Sequence, residues 1–177
     1  MENIMIIVSG MPATGKTRFA EWLSCKISAP LLSLDDVWDK FGTTNIPFAQ
    51  YWVLCEEKMK SSSPLIIEFG FNNEIKPMIE RLAKKYKYQT INVHFDTSNE
   101  IAHRRFNDRR YYDMDGAKPQ ISLEEYVKIV EQNEPQLKSS KNFRFGEFII
   151  FVDTTDFSTV SYMDIARQIQ QHAMSAV

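Results

Sequence analysis

Apolar residues alternate between two kinds of pattern along this chain. Five short runs read as strands: Asn3 to Val8, Pro30 to Leu34, Leu65 to Phe69, Gln89 to Phe95 and Glu147 to Val152. Between them the spacing turns helical. Phe19, Leu23 and Ile27 recur at every fourth position, Met78, Ile79 and Leu82 form a second stripe, and Ile165, Ala166 and Ile169 form a third. Capping-box patterns predict helix starts at Thr97-Ser98-Asn99-Glu100, Ser122-Leu123-Glu124-Glu125 and Ser161-Tyr162-Met163-Asp164. Pro135, which can neither donate to the helix ladder nor avoid the carbonyl four residues back, closes the helix begun near Leu123.

Ile- and Val-rich strands that alternate with helices call for right-handed crossovers and a parallel sheet covered on both faces. The predicted fold is α/β with three layers, α/β/α, and 177 residues without repeat or linker fit one domain over 1–177. In such sheets ligands bind where the carboxyl ends of the strands open into loops. The candidate chemistry is therefore sought just after each strand.

The net charge of −2 conceals an uneven distribution: residues 1–75 carry 6 basic and 9 acidic side chains, 76–110 carry 9 and 4, and 111–177 carry 6 and 10. A basic centre in an acidic molecule argues against nucleic acid as partner and suits a small anionic ligand. The apolar run Ile4 to Val8 is too short to span a bilayer or act as a secretory segment, and Glu2 stands where a basic flank would be. The expected location is cytoplasmic, with no membrane partner. Cys25 and Cys55, lacking CxxC spacing, read as reduced core thiols. His94, His103 and His172 show no ligand spacing.

After the first strand comes a complete G-x-x-x-x-G-K-[ST] string, Gly10-Met11-Pro12-Ala13-Thr14-Gly15-Lys16-Thr17, which opens an amphipathic helix. Its glycines let backbone N–H groups converge on phosphate oxygens, and the helix start adds a positive dipole end. Lys16 is placed to reach the β- and γ-phosphates and the Thr17 hydroxyl to ligate Mg²⁺; with Arg18 these residues make up the predicted nucleotide-binding loop. A guanine-reading N-K-x-D is missing, and the D-x-x-G from Asp113 to Gly116 falls too late for a GTPase switch. No LSGGQ-like signature is present, and the chain is too short for a ring ATPase with a helical lid domain. An ATP-dependent kinase remains.

The second strand ends in Ser33-Leu34-Asp35-Asp36, at the sheet edge where an acceptor hydroxyl would lie. A kinase needs a carboxylate there to take the hydroxyl proton or align the nucleophile. Asp35 is the choice, with Asp36 as substrate-side neighbour. The competing reading is helix capping, since Ser33-x-x-Asp36 matches a capping box and Asp35 could itself be the N-cap.

From these residues the chain resembles the small P-loop phosphotransferases typified by polynucleotide 5′-hydroxyl kinase, chloramphenicol phosphotransferase and zeta toxins. That group has, in order, the P-loop, an Asp after strand two, an acid after strand three, an Arg-bearing lid helix and a final strand entering a D-T-T-like turn. This sequence supplies Gly10 to Thr17, Asp35-Asp36, Glu68, Arg105 with Arg109, and Asp153-Thr154-Thr155. The resemblance implies a sheet order of 2-3-1-4-5, and a D-T-T turn that touches adenine. Polynucleotide kinases carry an Arg shortly after the paired acids; Trp38 stands there in this chain, against a nucleic-acid 5′ end as acceptor.

Glu68 occupies the Walker-B location, to hold a magnesium-bound water or the acceptor, against the alternative of a solvated strand-end Glu. In the lid, predicted over about 98–120, Arg104 has Glu100 and Asp108 four residues to either side and reads as ordinary surface pairing. Arg105 and Arg109 lie one turn apart and are expected to share an anion, stabilising charge on the transferred group; the bland alternative is neutralisation by Asp108 and Asp113. Tyr111 to Gln120 reads as a mobile covering loop. Phe41 to Trp52, with Phe69 and Phe71, offer aromatic surface near the acceptor side; core packing is the default reading and a partly apolar acceptor pocket the alternative. The expected activity is transfer of the ATP γ-phosphate to a hydroxyl of a small-molecule acceptor; the alternatives are a polynucleotide 5′-hydroxyl kinase and a non-enzymatic or slow ATP-binding regulator.

Overall fold

A computed structural model describes residues 3–41, 46–61, 63–69, 75–113, 120–133 and 146–175. Its five strands are β1 (Asn3–Gly10), β2 (Leu31–Ser33), β3 (Leu65–Glu68), β4 (Tyr88–Asp96) and β5 (Phe148–Asp153). Every pairing is parallel and the order is β2-β3-β1-β4-β5, as the resemblance implied. β1 runs two residues past the predicted end because Ser9 and Gly10 still pair with His94 and Phe95.

The helices are α1 (Lys16–Ile27), α2 (Leu34–Phe41), α3 (Ile46–Ser61), α4 (Ile75–Tyr86), α5 (Asn99–Asp113), α6 (Leu123–Asn133) and α7 (Tyr162–Ser175). Strand alternation sorts the core into two layers. Met5, Ile7, Leu65 and Ile67 face Tyr51, Cys55, Ile79 and Leu82 of α3 and α4. Ile6, Val8, Ile91, Val93 and Phe95 face Phe19 and Leu23 of α1 and Ile165 and Ile169 of α7. The Phe19 ring, fully buried, packs 5.2 Å from Phe95 and 5.1 Å from Tyr162. The α1 stripe ends a turn early, with Ile27 exposed as the chain turns left-handed at Ser28.

The caps follow the sequence with one shift. Ser122 and Glu125 form a full reciprocal box, each side chain accepting from the other's backbone N–H at 3.1 and 2.8 Å. Ser161 accepts from Asp164 N at 3.3 Å. At α5 the cap is Ser98, which accepts from Ile101 N, rather than Thr97. α6 ends at Asn133, and Pro135 lies outside the described residues. Cys55 is buried as expected, but Cys25 is exposed on α1 and is no core thiol.

α3 runs antiparallel to the strands. Only a short link joins Ser61 to Leu65, and two bonds pin that end low on the sheet: Ile4 N to Ser63 Oγ at 3.0 Å, and Tyr88 Oη to the Met59 carbonyl at 3.0 Å. The amino end of α3 therefore lies toward the carboxyl edge of the sheet.

Behind the turn that follows β1, a buried polar seam joins β1 to β4. The Ser9 hydroxyl donates to Asn92 Oδ1 at 2.8 Å and lies 3.0 Å from His94 Nδ1, so Nδ1 carries a proton and donates to Ser9 Oγ. Burial pulls the His94 imidazole down to about 4, against a smaller upward push from Asp96. A depressed imidazole stays neutral in the folded chain while the unfolded chain takes up a proton below about 6.5. His94 accordingly withdraws stability as pH falls from 6.5 toward 4, by about 3 kcal/mol at most. In urea denaturation across that window, His94→Gln is expected to flatten the acid slope relative to the wild type; an unchanged slope contradicts a buried neutral imidazole.

Candidate functional site

The turn from β1 to α1 is built to receive an anion. Gly10 has φ of 143°, and a Cβ there would fall 2.1 Å from the Phe95 carbonyl oxygen. Ala13 and Gly15 also take left-handed conformations, φ 63° and 86°. Thr14 Oγ1 donates to the Met11 carbonyl at 2.8 Å, and Tyr126 of α6 donates to the Pro12 carbonyl at 3.2 Å. Met11 is buried against Ala102, Tyr126 and Val130, so α5 and α6 brace the loop from above. Gly15 supplies no side-chain cap and the first turn of α1 holds no acid, which leaves its N–H groups and dipole end for a ligand.

Glu68 is the convergence point. It ends β3 with 1% exposure, which removes the solvated strand-end alternative. Its Oε1 accepts from Thr17 Oγ1 at 3.2 Å and pairs with Lys16 Nζ at 3.8 Å, while Oε2 accepts from Ser33 Oγ at 2.7 Å. Burial raises its carboxyl above the ordinary value; Lys16 and the Ser33 and Thr17 bonds pull it down, and the Asp35 charge pushes it up. Thr17 and Glu68, oxygen donors beside a phosphate-binding turn, fit a hard dication that keeps waters and takes its other ligands from phosphate. Among the described residues no His, Cys, Asp and Glu cluster of three forms a separate metal site.

Ser33 fits a cap by its spacing, but its hydroxyl serves Glu68 instead, because parallel pairing sets Ser33 directly opposite Glu68. That register is not visible in the sequence. α2 begins at Leu34, so Asp35 and Asp36 lie in its first turn, exposed, and Asp35 is not the N-cap. Asp35 is near enough to Glu68 for its charge to be felt there.

The structure directs Arg105 toward the β5 turn. Its Nη2 donates to the Thr155 carbonyl at 3.1 Å, and its guanidinium stacks 4.0 Å from the centre of the Phe157 ring. That ring in turn covers Gly15, where an added Cβ would lie 2.8 Å from Phe157 Cε1. Arg105, Phe157 and Gly15 thus form one column from α5 to the turn after β1, and Phe157 carries no site signal in the sequence because an aromatic after a strand is ordinary core material. Asp153 accepts from Thr155 N at 2.8 Å and fixes the turn. Arg104 is exposed and makes no ion pair with Glu100 or Asp108 among the described residues. Arg109 lies on α5, but its side chain is outside the described residues.

Helix α5 continues through Tyr111 to Asp113, so the first part of the expected covering loop is helical, and 114–119 lies outside the described residues. Asn107 closes the base of that segment: its side chain exchanges two hydrogen bonds with the Ile121 backbone at 2.9 and 3.1 Å, and His103 Nε2 lies 2.7 Å from the same carbonyl.

No protein-family model matches the sequence, and no curated protein matches it. Solved structures do. A candidate kinase from Chloroflexus aurantiacus shares 22% identity with a TM-score of 0.76 over 100% of both chains. Shikimate kinase from Acinetobacter baumannii, in complex with shikimate, shares 17% at a TM-score of 0.56, covering 98% of this chain and 94% of its own. A gluconokinase from Sinorhizobium meliloti shares 12% at 0.51, covering 94% and 88%. The chain has the fold of the small P-loop kinases. Within that fold, Gly10 to Thr17 run from the end of β1 into the first turn of α1, and Glu68 ends β3, which pairs with the central β1. No described helix is long and apolar enough to cross a membrane.

The two loop glycines are expected to differ in their tolerance of a methyl group. Gly10→Ala drives Cβ into a backbone carbonyl that cannot yield, whereas Gly15→Ala meets the edge of a ring that can. Chemical denaturation should show Gly10→Ala losing at least about 2 kcal/mol and Gly15→Ala less. The reverse ranking contradicts the loop geometry.

Proposed function

We propose that this chain is an ATP-dependent phosphotransferase, one domain over 1–177, moving the γ-phosphate to a hydroxyl group of a small molecule. The observation that carries the reading is the Glu68 cluster: a P-loop lysine and threonine, the end of β2 and a buried acid meet at one point on the carboxyl edge of the sheet. Kinase activity in structures of the same fold supports it.

In this reading the Gly10–Arg18 loop binds the triphosphate through backbone N–H groups, with Gly10, Met11, Pro12, Ala13, Thr14 and Gly15 shaping the turn. Lys16 would leave Glu68 to pair with the β- and γ-oxygens, and the Thr17 hydroxyl, now on Glu68, would be one of the oxygens that hold Mg²⁺. Bound Mg²⁺ would neutralise charge on the phosphate oxygens. Glu68, fixed by Ser33, would help hold that ion. Asp35, exposed in the first turn of α2 beside Glu68, accepts the proton of the attacking hydroxyl or aligns it, and Asp36 contacts the acceptor. Arg105 and Arg109 stabilise the transferred group from the lid, with Arg105 released from Phe157 as the lid settles. Exclusion of water by 98–120 suppresses hydrolysis.

The test is transfer of radiolabel from γ-labelled ATP to a panel of neutral, acidic and amino hydroxyl compounds. Lys16→Ala is expected to abolish turnover. Asp35→Ala should lower transfer by about 10²–10⁴-fold while ATP binding stays largely intact. Full transfer by Asp35→Ala with an accepted substrate overturns the base assignment. ATP binding without any phosphorylated product across the panel favours a nucleotide-binding regulator.

A further inference from the structure

One buried group near the site has no evident task. Tyr51 of α3 is fully buried, and its hydroxyl has no hydrogen-bond partner among the described residues. Tyr88, on the same side of the sheet, spends its hydroxyl on the Met59 carbonyl. A buried phenol left unpaired is costly, and Phe would fill the same space without that cost.

The direction of the Tyr51 side chain follows from the fold. α3 descends from the carboxyl edge of the sheet to its amino edge, and helix side chains lean toward their own amino end. Tyr51 lies two turns above Met59, roughly 12 Å along the helix. From Leu65 to Glu68 the strand climbs roughly 10 Å. The phenol therefore rises toward the level of Glu68, within the buried cluster that also holds Leu34, Ile67 and Phe69, the residues that flank Asp35 and Glu68. Burial first, then the neighbouring Cys55 and Glu68, hold the phenol well above its usual value, so it remains a donor.

Glu68 needs such a donor once nucleotide arrives. Its Oε1 has Lys16 and Thr17 in the resting site, and both are claimed by the phosphates and metal in the reading proposed above, on which this inference rests. We infer that Tyr51 is a positioning residue for Glu68, whose hydroxyl donates to that carboxylate, directly or through one water, when Lys16 and Thr17 turn to the nucleotide. The resting site stores an unused donor, and binding of nucleotide gives it a partner.

Tyr51→Phe separates this role from packing, because it removes the hydroxyl and keeps the ring. Calorimetric titration with the Mg²⁺ complex of the β,γ-imido analogue of ATP measures binding without an acceptor, and thermal denaturation of the free protein checks the fold. The expected result is an unchanged or higher Tm for the free variant, with affinity about tenfold weaker than wild type. In a Glu68→Gln background the same Tyr51→Phe change should cost little, since the charged acceptor is gone. Equal affinity of wild type and Tyr51→Phe overturns the inference, and so does an equal loss in both backgrounds. Failure of the wild type to bind the analogue overturns the nucleotide reading itself and is recognised as such, because it appears before any variant is compared.

Discussion

A carboxylate taken out of water must be compensated by donors and opposite charge, or it protonates. Glu68 is the residue on which that constraint acts in this protein. Its two oxygens are served by Lys16 and Thr17 from α1 and by Ser33 from β2, so three consecutive pieces of the sheet edge are tied through one side chain. The tie is also provisional. Under the proposed function, a triphosphate at the turn after β1 and Glu68 compete for two of its three donors, Lys16 and Thr17.

The scaffold makes that competition precise in space. The parallel register sets Ser33 and Val8 against Glu68, which brings the ends of β2 and β3 level with a point two residues before the end of β1. Gly10 approaches the β4 backbone too closely for any side chain, and the buried Ser9, Asn92 and His94 seam fixes the same strand pair one residue earlier. On the opposite flank, Phe157 bridges Arg105 of α5 and Gly15, while Met11 packs with Ala102 of the same helix, so α5 touches the turn at two places.

Much of this was legible in the sequence for identifiable reasons. β1 and β3 write themselves as unbroken apolar runs, β4 buries Gln89, Thr90, Asn92 and His94 between its apolar positions, and all five strands lie within one or two residues of their predicted bounds. The loop Gly10 to Thr17 is legible because few residue types can occupy its conformations. The reciprocal cap at Ser122 and Glu125 is a local interaction within four residues and was equally plain. What escaped depends on pairings distant in sequence. Ser33 reads as a cap until the register shows it facing Glu68, 35 residues away. Arg105 reads as a phosphate ligand from its spacing on α5, whereas its resting contacts are with the turn at Thr155 and Phe157, 50 residues on. Cys25 looked like a core thiol by type, but its place on the outer side of α1 leaves it exposed.

The account stands on the exchange of Lys16 and Thr17 between Glu68 and a triphosphate. A crystal structure with the Mg²⁺ complex of a nonhydrolysable ATP analogue tests it most directly. The expected density places phosphate oxygens within the Gly10 to Thr17 loop, with the Lys16 ammonium and Thr17 hydroxyl turned onto them or the metal, and Glu68 still bonded to Ser33. An empty loop at saturating analogue, with the Lys16–Glu68 pair and the Thr17–Glu68 bond intact, contradicts it.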